Sequence, residues 1–199
     1  MTRRAILAVV GFVLAAVLVW SLLFVVVPRL YRGSQPQQAA AGTPAAPAAA
    51  PADQRKITAT LYFVGPDGLS LVPAQREVPF GEPVVEQARR IIEAQLAVST
   101  APLLSAVPAG TTLRALYISE RGDAFVDLSA EVTTKHTGGS MDEILTVYTI
   151  VNALTVNLPA ITRVQILVDG KEVDTLAGHV DLRNPLAKNM AWVTTENPS

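Results

Sequence analysis

From Ala5 to Val27 the chain reads AILAVVGFVLAAVLVWSLLFVVV, 23 residues without a charge. A helix of that length rises roughly 35 Å, enough to cross a ~30 Å hydrocarbon layer with modest tilt. Arg3 and Arg4 precede the run, and Arg29, Tyr31 and Arg32 follow it, where headgroups would meet them. A cleavable signal peptide has a shorter apolar core, about 7–15 residues, closed by a small-x-small site. This run is longer and ends in FVVVP before arginines. The pattern predicts an uncleaved single transmembrane helix at 5–27 behind a short cytoplasmic N-terminus at 1–4. The flanking positive charges nearly cancel, so orientation rests on the brevity of the leading segment, which places the large C-terminal part outside.

Residues 28–53 contain the stretch GSQPQQAAAGTPAAPAAAPA, in which 13 of 20 residues are Ala or Pro and none is charged. Its four prolines break any alanine helix, and it offers no aromatic or β-branched hydrophobe around which to build a core. The expectation is a disordered Ala/Pro linker. Fully extended it would reach about 60 Å, and as a flexible coil about 25 Å.

The remainder, from Gln54, carries 12 basic and 16 acidic residues, a net charge of −4. It is long enough for one substantial core and is expected to be globular over 54–193, with a polar tail at 194–199. Lys56–Val64 alternates as a strand. Gly65-Pro66-Asp67-Gly68 is a turn, and Leu69–Val78 returns, with Pro73 assigning it to an edge or a bulge. Pro83 opens a helix through VVEQARRIIEAQLAV, whose Val84, Ala88, Ile91, Ile92 and Leu96 recur at helical spacing. Leu113–Ser119 and Ala124–Leu128 form a second hairpin about Arg121-Gly122-Asp123. Ser140-Met141-Asp142-Glu143 reads as a capping box, starting a helix from Met141 to about Leu158 that Pro159 stops. Its predicted inward residues are Ile144, Leu145, Tyr148, Val151 and Leu154. Val164–Val168 and Lys171–Leu176 flank an Asp169-Gly170 turn. The order ββαββαββ predicts an α+β fold, two helices packed on one face of a sheet built from hairpins.

Few residues of the chain fall into patterns that chemistry requires. Cysteine is absent, which removes disulfides, thiolate metal sites, thiol nucleophiles and an acylated anchor. A net charge of −1 over the whole chain argues against nucleic-acid binding, which needs clustered Lys and Arg. No G-x-S-x-G elbow is present, and Ser140 is better read as a helix cap than as a nucleophile. Lys135-His136-Thr137-Gly138 is not the K-T-G of penicillin-recognising enzymes, and no S-x-x-K accompanies it. His136 and His179 lack metal-ligand spacing. Asp123 and Asp127 share one side of a strand, ~13 Å apart, too far for a glycosidase pair. Arg121-Gly122-Asp123 is ordinary turn composition. No catalytic, cofactor-binding or metal residue is assigned, and no cofactor is expected.

The segments LYFVGPDGLSLVPAQREV, VVEQARRIIEAQL, VPAGTTLRALYISERGDAFVDLSAEV, GGSMDEILTVYTIVNALTVNLPAITRVQILVDGKEV and GHVDLRNPL follow one another over about Ile57–Leu186. In order and spacing they resemble the GerMN domain family, found in spore germination and sporulation proteins. That resemblance implies an extracytoplasmic, non-enzymatic domain of the bacterial cell envelope that works by contacting proteins or envelope polymers. The expected reading is a single-pass protein of the bacterial cytoplasmic membrane. Its partners would be the lipid bilayer, through the N-terminal helix, and envelope proteins or a second copy, or peptidoglycan. Exposed hairpin strands near Pro73 would offer pairing by β-augmentation. The alternative is an enzyme or accessory factor acting on peptidoglycan or another wall polymer, which needs a concave site near Asp127, His136 or His179.

Overall fold

A computed structural model describes residues 55–97, 99 and 102–194. The N-terminus, anchor and linker expected at 1–53, and the tail beyond Thr194, lie outside the described residues. Among the described residues no helix is long and apolar enough to cross a membrane.

Strands β1 (Lys56–Val64) and β2 (Leu71–Pro79) pair antiparallel from Lys56↔Pro79 to Val64↔Leu71. The turn between them is held by Asp67, whose carboxylate accepts from the Leu69 and Ser70 amides. Helix α1 (Val84–Leu96) follows and buries Gln87, Ala88, Ile91, Ile92 and Gln95. Ala88, Ile91 and Ile92 lie inside as their spacing requires, whereas Val84 is exposed. The buried stripe is rotated by one position, and two glutamines complete it.

Strands β3 (Leu113–Ile118) and β4 (Asp123–Leu128) form the second hairpin, with a bulge between Leu113 and Ala115. Gly122 serves its turn twice. Its φ of +81° suits glycine, and a Cβ there would sit 2.6 Å from the Ala160 carbonyl oxygen. One helical turn, α2 (Glu131–Thr134), buries Val132, and α3 runs from Ser140 to Asn157. Then come β5 (Arg163–Val168), β6 (Lys171–Glu172) and β7 (Leu186–Ala187).

The mixed α+β class stands, but the arrangement differs from the expected single sheet of hairpins. There are two sheets, β1–β2 and a five-stranded one ordered β3-β4-β5-β6, with β7 also on β5. β4 and β5 pair in parallel, so the chain from Ser129 to Thr162, carrying α2 and α3, is a crossover. β5 reads VQILV, nearly continuous and apolar, as a strand covered on both faces does. α3 is correspondingly buried almost all round, from Glu143 to Leu154, and packs against β1, α1, β5 and β7. Ile144 and Tyr148, expected inside, are only half-buried.

The expected sixth strand to Leu176 stops at Glu172. Asp169 and Gly170, with φ of +50° and +76°, make the tight turn, after which the chain leaves β5. It buries Leu176 and Leu182 and returns as β7. Thr194, placed by sequence at the head of the tail, donates its N–H to the Leu71 carbonyl, and Leu71 donates to Trp192.

Candidate interaction surface

A sheet edge presents main-chain N–H and C=O groups that must find partners or meet solvent. From Thr60 to Val64 the outward groups of β1 are met largely by side chains that imitate a strand. The Gln95 carboxamide accepts from Tyr62 N (2.9 Å) and donates to Tyr62 O (2.8 Å). Asn157 does the same to Thr60, at 2.8 Å each way. Val64 N donates to the Leu104 carbonyl. α1 and α3 thus each end in an amide that continues the ladder. Asn152 likewise clamps both main-chain groups of Asn189, and Gln87 links Gly81 N to Pro79 O. Sequence reading passed over these carboxamides. The signal was there: Gln and Asn in the apolar helices at positions that turn inward.

The β2 edge is blunted differently. Leu71 points outward to Trp192, so alternation turns Pro73, Gln75, Glu77 and Pro79 outward too. Two of those four have no N–H to offer, the Gln75 carbonyl accepts from Arg76, and the Pro79 carbonyl from Gln87. Pro73 does mark an edge, as expected: the 192–194 strap and two prolines occupy part of it, and the Gln75 N–H and both main-chain groups of Glu77 have no hydrogen-bond partner among the described residues. The outer side of β5 carries β6 and β7, and Gln165 between them donates to the Leu182 carbonyl.

β3 is the contrast. Ser119 N donates to Asp123 O at 2.9 Å, so alternation points Tyr117 toward β4 and Leu116 and Ile118 away from it. The outward main-chain groups of Leu116 and Ile118 have no hydrogen-bond partner among the described residues. Leu116 is itself buried at 3%, whereas Tyr117 is 62% exposed. Beside this strand lies a shallow groove of about 580 Å³, bordered by Pro83, Val84, Ile118 and Ala160.

A second concavity, about 440 Å³, lies at His136 and is bordered by Lys135, Thr137, Asp142 and Thr146. Its polar groups are largely engaged. Gly138 N donates to His136 Nδ1. By that hydrogen-bond pattern Nε2 carries the proton and donates to Thr146 Oγ1, which donates on to the Ala106 carbonyl. Asp142 accepts from Thr137.

The expected capping box does not form. Ser140 is the first helical residue, and the N-cap is Gly139, without a side-chain bond. Glu143 reaches instead into the 174–182 loop and is fully buried. Its carboxylate accepts from Leu176 N (2.7 Å) and His179 N (2.8 Å) and meets His179 Nδ1 at 3.2 Å. Burial pushes this carboxyl up, but main-chain donors at Ala177, His179, Leu176 and Val180 outweigh it and hold the group below its usual range. His179 is therefore a loop anchor. Asp123 pairs with Arg163 at 2.7 and 3.0 Å. Asp127 pairs with Arg114 and accepts from Gly170 N. No three His, Cys, Asp or Glu side chains among the described residues converge as metal ligands.

Taken together these features define a small α+β domain with a parallel crossover, a β1 edge met by carboxamides and an apolar groove beside β3. The chain belongs to the Germane family, described as "Sporulation and spore germination", whose model matches residues 60–174. The loop anchored by Glu143, β7 and the 192–194 strap fall beyond that match. The tandem GerMN domains of the sporulation protein GerM from Bacillus subtilis share the fold, with a TM-score of 0.56 at 20% identity, over 67% of this chain and 46% of that one. The first GerMN domain of that protein alone gives 0.49 at 19% identity, over 67% and 96%. A Clostridium perfringens protein provisionally named a lipoprotein gives 0.48 at 26% identity, over 67% and 88%. None of the curated proteins compared with the chain matches it.

Proposed function

We propose that this protein is a membrane-anchored, extracytoplasmic binding or assembly module of the bacterial cell envelope, acting in sporulation or germination without catalysing a reaction. The groove beside β3, with Tyr117 and Val84 exposed on its rim, supports the reading. A partner seated there would gain apolar contact at Tyr117 and Val84. The uncharged run at 5–27 supports an anchor within the bilayer, and the sequence holds no cysteine to acylate. The Ala/Pro linker would let the domain reach beyond the membrane surface.

The test uses the intact chain in cells. A photo-crosslinking residue at Tyr117 should capture an envelope protein or a second copy, while one at Gln75 on the β2 edge should not. A reporter after Ser199 should be active only outside the cytoplasm. Turnover of a wall fragment by the purified chain, lost in a folded His136→Ala variant, would replace this reading with the wall-enzyme alternative, for which the His136 concavity is the place to look.

A further inference from the structure

Independently of the binding reading above, we infer that the occupant of the β2 edge is the chain's own C-terminal segment, residues 195–199, continuing the 192–194 strap as a third strand of the β1–β2 sheet.

The strap already sets the register. Leu71 N–H donates to the Trp192 carbonyl at 2.7 Å and Thr194 N–H to the Leu71 carbonyl at 2.8 Å, which makes Leu71 and Val193 a parallel pair. A parallel strand that keeps this step sets Thr195 beside Pro73, Asn197 beside Gln75 and Ser199 beside Glu77. Glu196 N–H then donates to the Pro73 carbonyl, Gln75 N–H to the Glu196 carbonyl, and Glu77 N–H to the Pro198 carbonyl. None of those three β2 groups has a hydrogen-bond partner among the described residues. Pro73, Gln75 and Glu77 are all exposed, so a strand can reach them.

The residues of the segment suit that register at two points. Pro198 has no N–H to give, and it falls opposite the Gln75 carbonyl. Of the carbonyls at Pro73, Gln75 and Glu77, that is the one already served among the described residues, by Arg76 Nη1 at 3.3 Å. Glu196 is the only charged side chain in 195–199. It falls beside Ala74, on the face of β2 that carries Arg76 diagonally across, within reach of long side chains. Arg76 is exposed, lies 5.9 Å over the Phe63 ring, and pairs with no carboxylate among the described residues. The neighbouring acid on β2, Glu77, is held by Lys56. A carboxylate at 196 therefore meets the one arginine of that edge. With the segment in place the hairpin is shut against other chains, and a foreign strand could pair with β2 only by displacing it.

Amide hydrogen exchange on the full chain tests this. Gln75 and Glu77 should be protected in the parent. Glu196→Pro removes the N–H aimed at Pro73 and should speed both amides roughly tenfold or more. Thr60 and Tyr62, served by Asn157 and Gln95, should exchange unchanged, which shows that the domain has stayed folded. The absence of cysteine allows the register to be read as well. Gln75→Cys with Asn197→Cys sets two Cα atoms about 4.8 Å apart, within disulfide reach. With Thr195→Cys or Ser199→Cys in place of Asn197→Cys the separation is about 8 Å, outside it. Mild oxidation should close the 75–197 pair within one chain roughly tenfold faster than either neighbour.

Full-rate exchange at Gln75 and Glu77 in the parent, or protection that survives Glu196→Pro, would overturn the inference. Equal closure of the three cysteine pairs would overturn it too, since an unpaired segment has no register. Mixed dimers from co-expressed Gln75→Cys and Asn197→Cys chains, in place of closure within one chain, would assign the strand to a second copy and sink it as well.

Discussion

The outer sides of β1 and β3 present the same chemistry, a row of main-chain donors and acceptors, and the molecule treats them in opposite ways. Along β1, Gln95 and Asn157 reach out from two helices and complete the ladder as a neighbouring strand would. Along β3, nothing among the described residues does so. The difference shows what closing an edge requires. β1 is crossed by helices whose inward faces spare a position for a carboxamide. α1 brings apolar Val84 and Val85 to the groove beside β3, and these supply surface but no donor. A closed edge contributes stability that an unpaired one does not.

Four experiments sharpen or break the comparison. The largest effect is expected from Gln95→Leu, which strips both bonds from Tyr62 at a fully buried site. Orphaned main-chain groups should cost about 3 kcal/mol in chemical denaturation of the full chain, and a loss below about 1 kcal/mol would mean that the closure of β1 carries little energy. Next comes Glu143→Gln, with an expected cost of about 2 kcal/mol at neutral pH. Its folded pKa is lowered from an ordinary 4.5. The stabilisation is therefore complete above 4.5 and fades as pH falls through the lower folded value. The glutamine variant should lose that acid dependence, so its melting temperature should converge with that of the parent as the medium is acidified. Parallel melting curves would show that the charge is not what holds the loop.

Amide hydrogen exchange resolves smaller, local differences. The Ile118 amide, which has no partner among the described residues, should exchange roughly a hundredfold faster than those of Thr60 and Tyr62. Equal protection would erase the distinction between the two edges. The smallest effect belongs to Tyr117→Thr, which touches an exposed ring and should leave stability within about 0.5 kcal/mol. A larger loss would mean that the residue serves its own fold more than a partner.

Much of the architecture was legible in the chain. Both hairpins, both long helices and the stop at Pro159 follow from alternation, helical spacing and turn chemistry, because each signal is local. The parallel pairing of β4 and β5 was not, because pairing partners are chosen by what covers them. The clue, the nearly continuous apolar run VQILV, is equally consistent with a hairpin strand. Ser140 and Glu143 carry a true capping signature, yet the four main-chain donors of the 174–182 loop bid more for the Glu143 carboxylate than one cap position can. β7 is too short for any periodicity. Pro73 does sit on a strand edge, because its missing N–H is tolerated only there, whereas the groove beside β3 is assembled from residues far apart in the chain and carries no local mark.

The hairpin of β1 and β2 has a mechanical side. The described chain enters at the Lys56–Pro79 end, and the 192–194 strap is tied at the Val64–Leu71 end. Nine residues at about 3.4 Å each separate those ends by roughly 30 Å. Tension between the entering chain and anything gripping the C-terminal residues would run lengthwise along the ribbon. It would load the ladder bonds in shear, many together, instead of opening them one at a time like a zip.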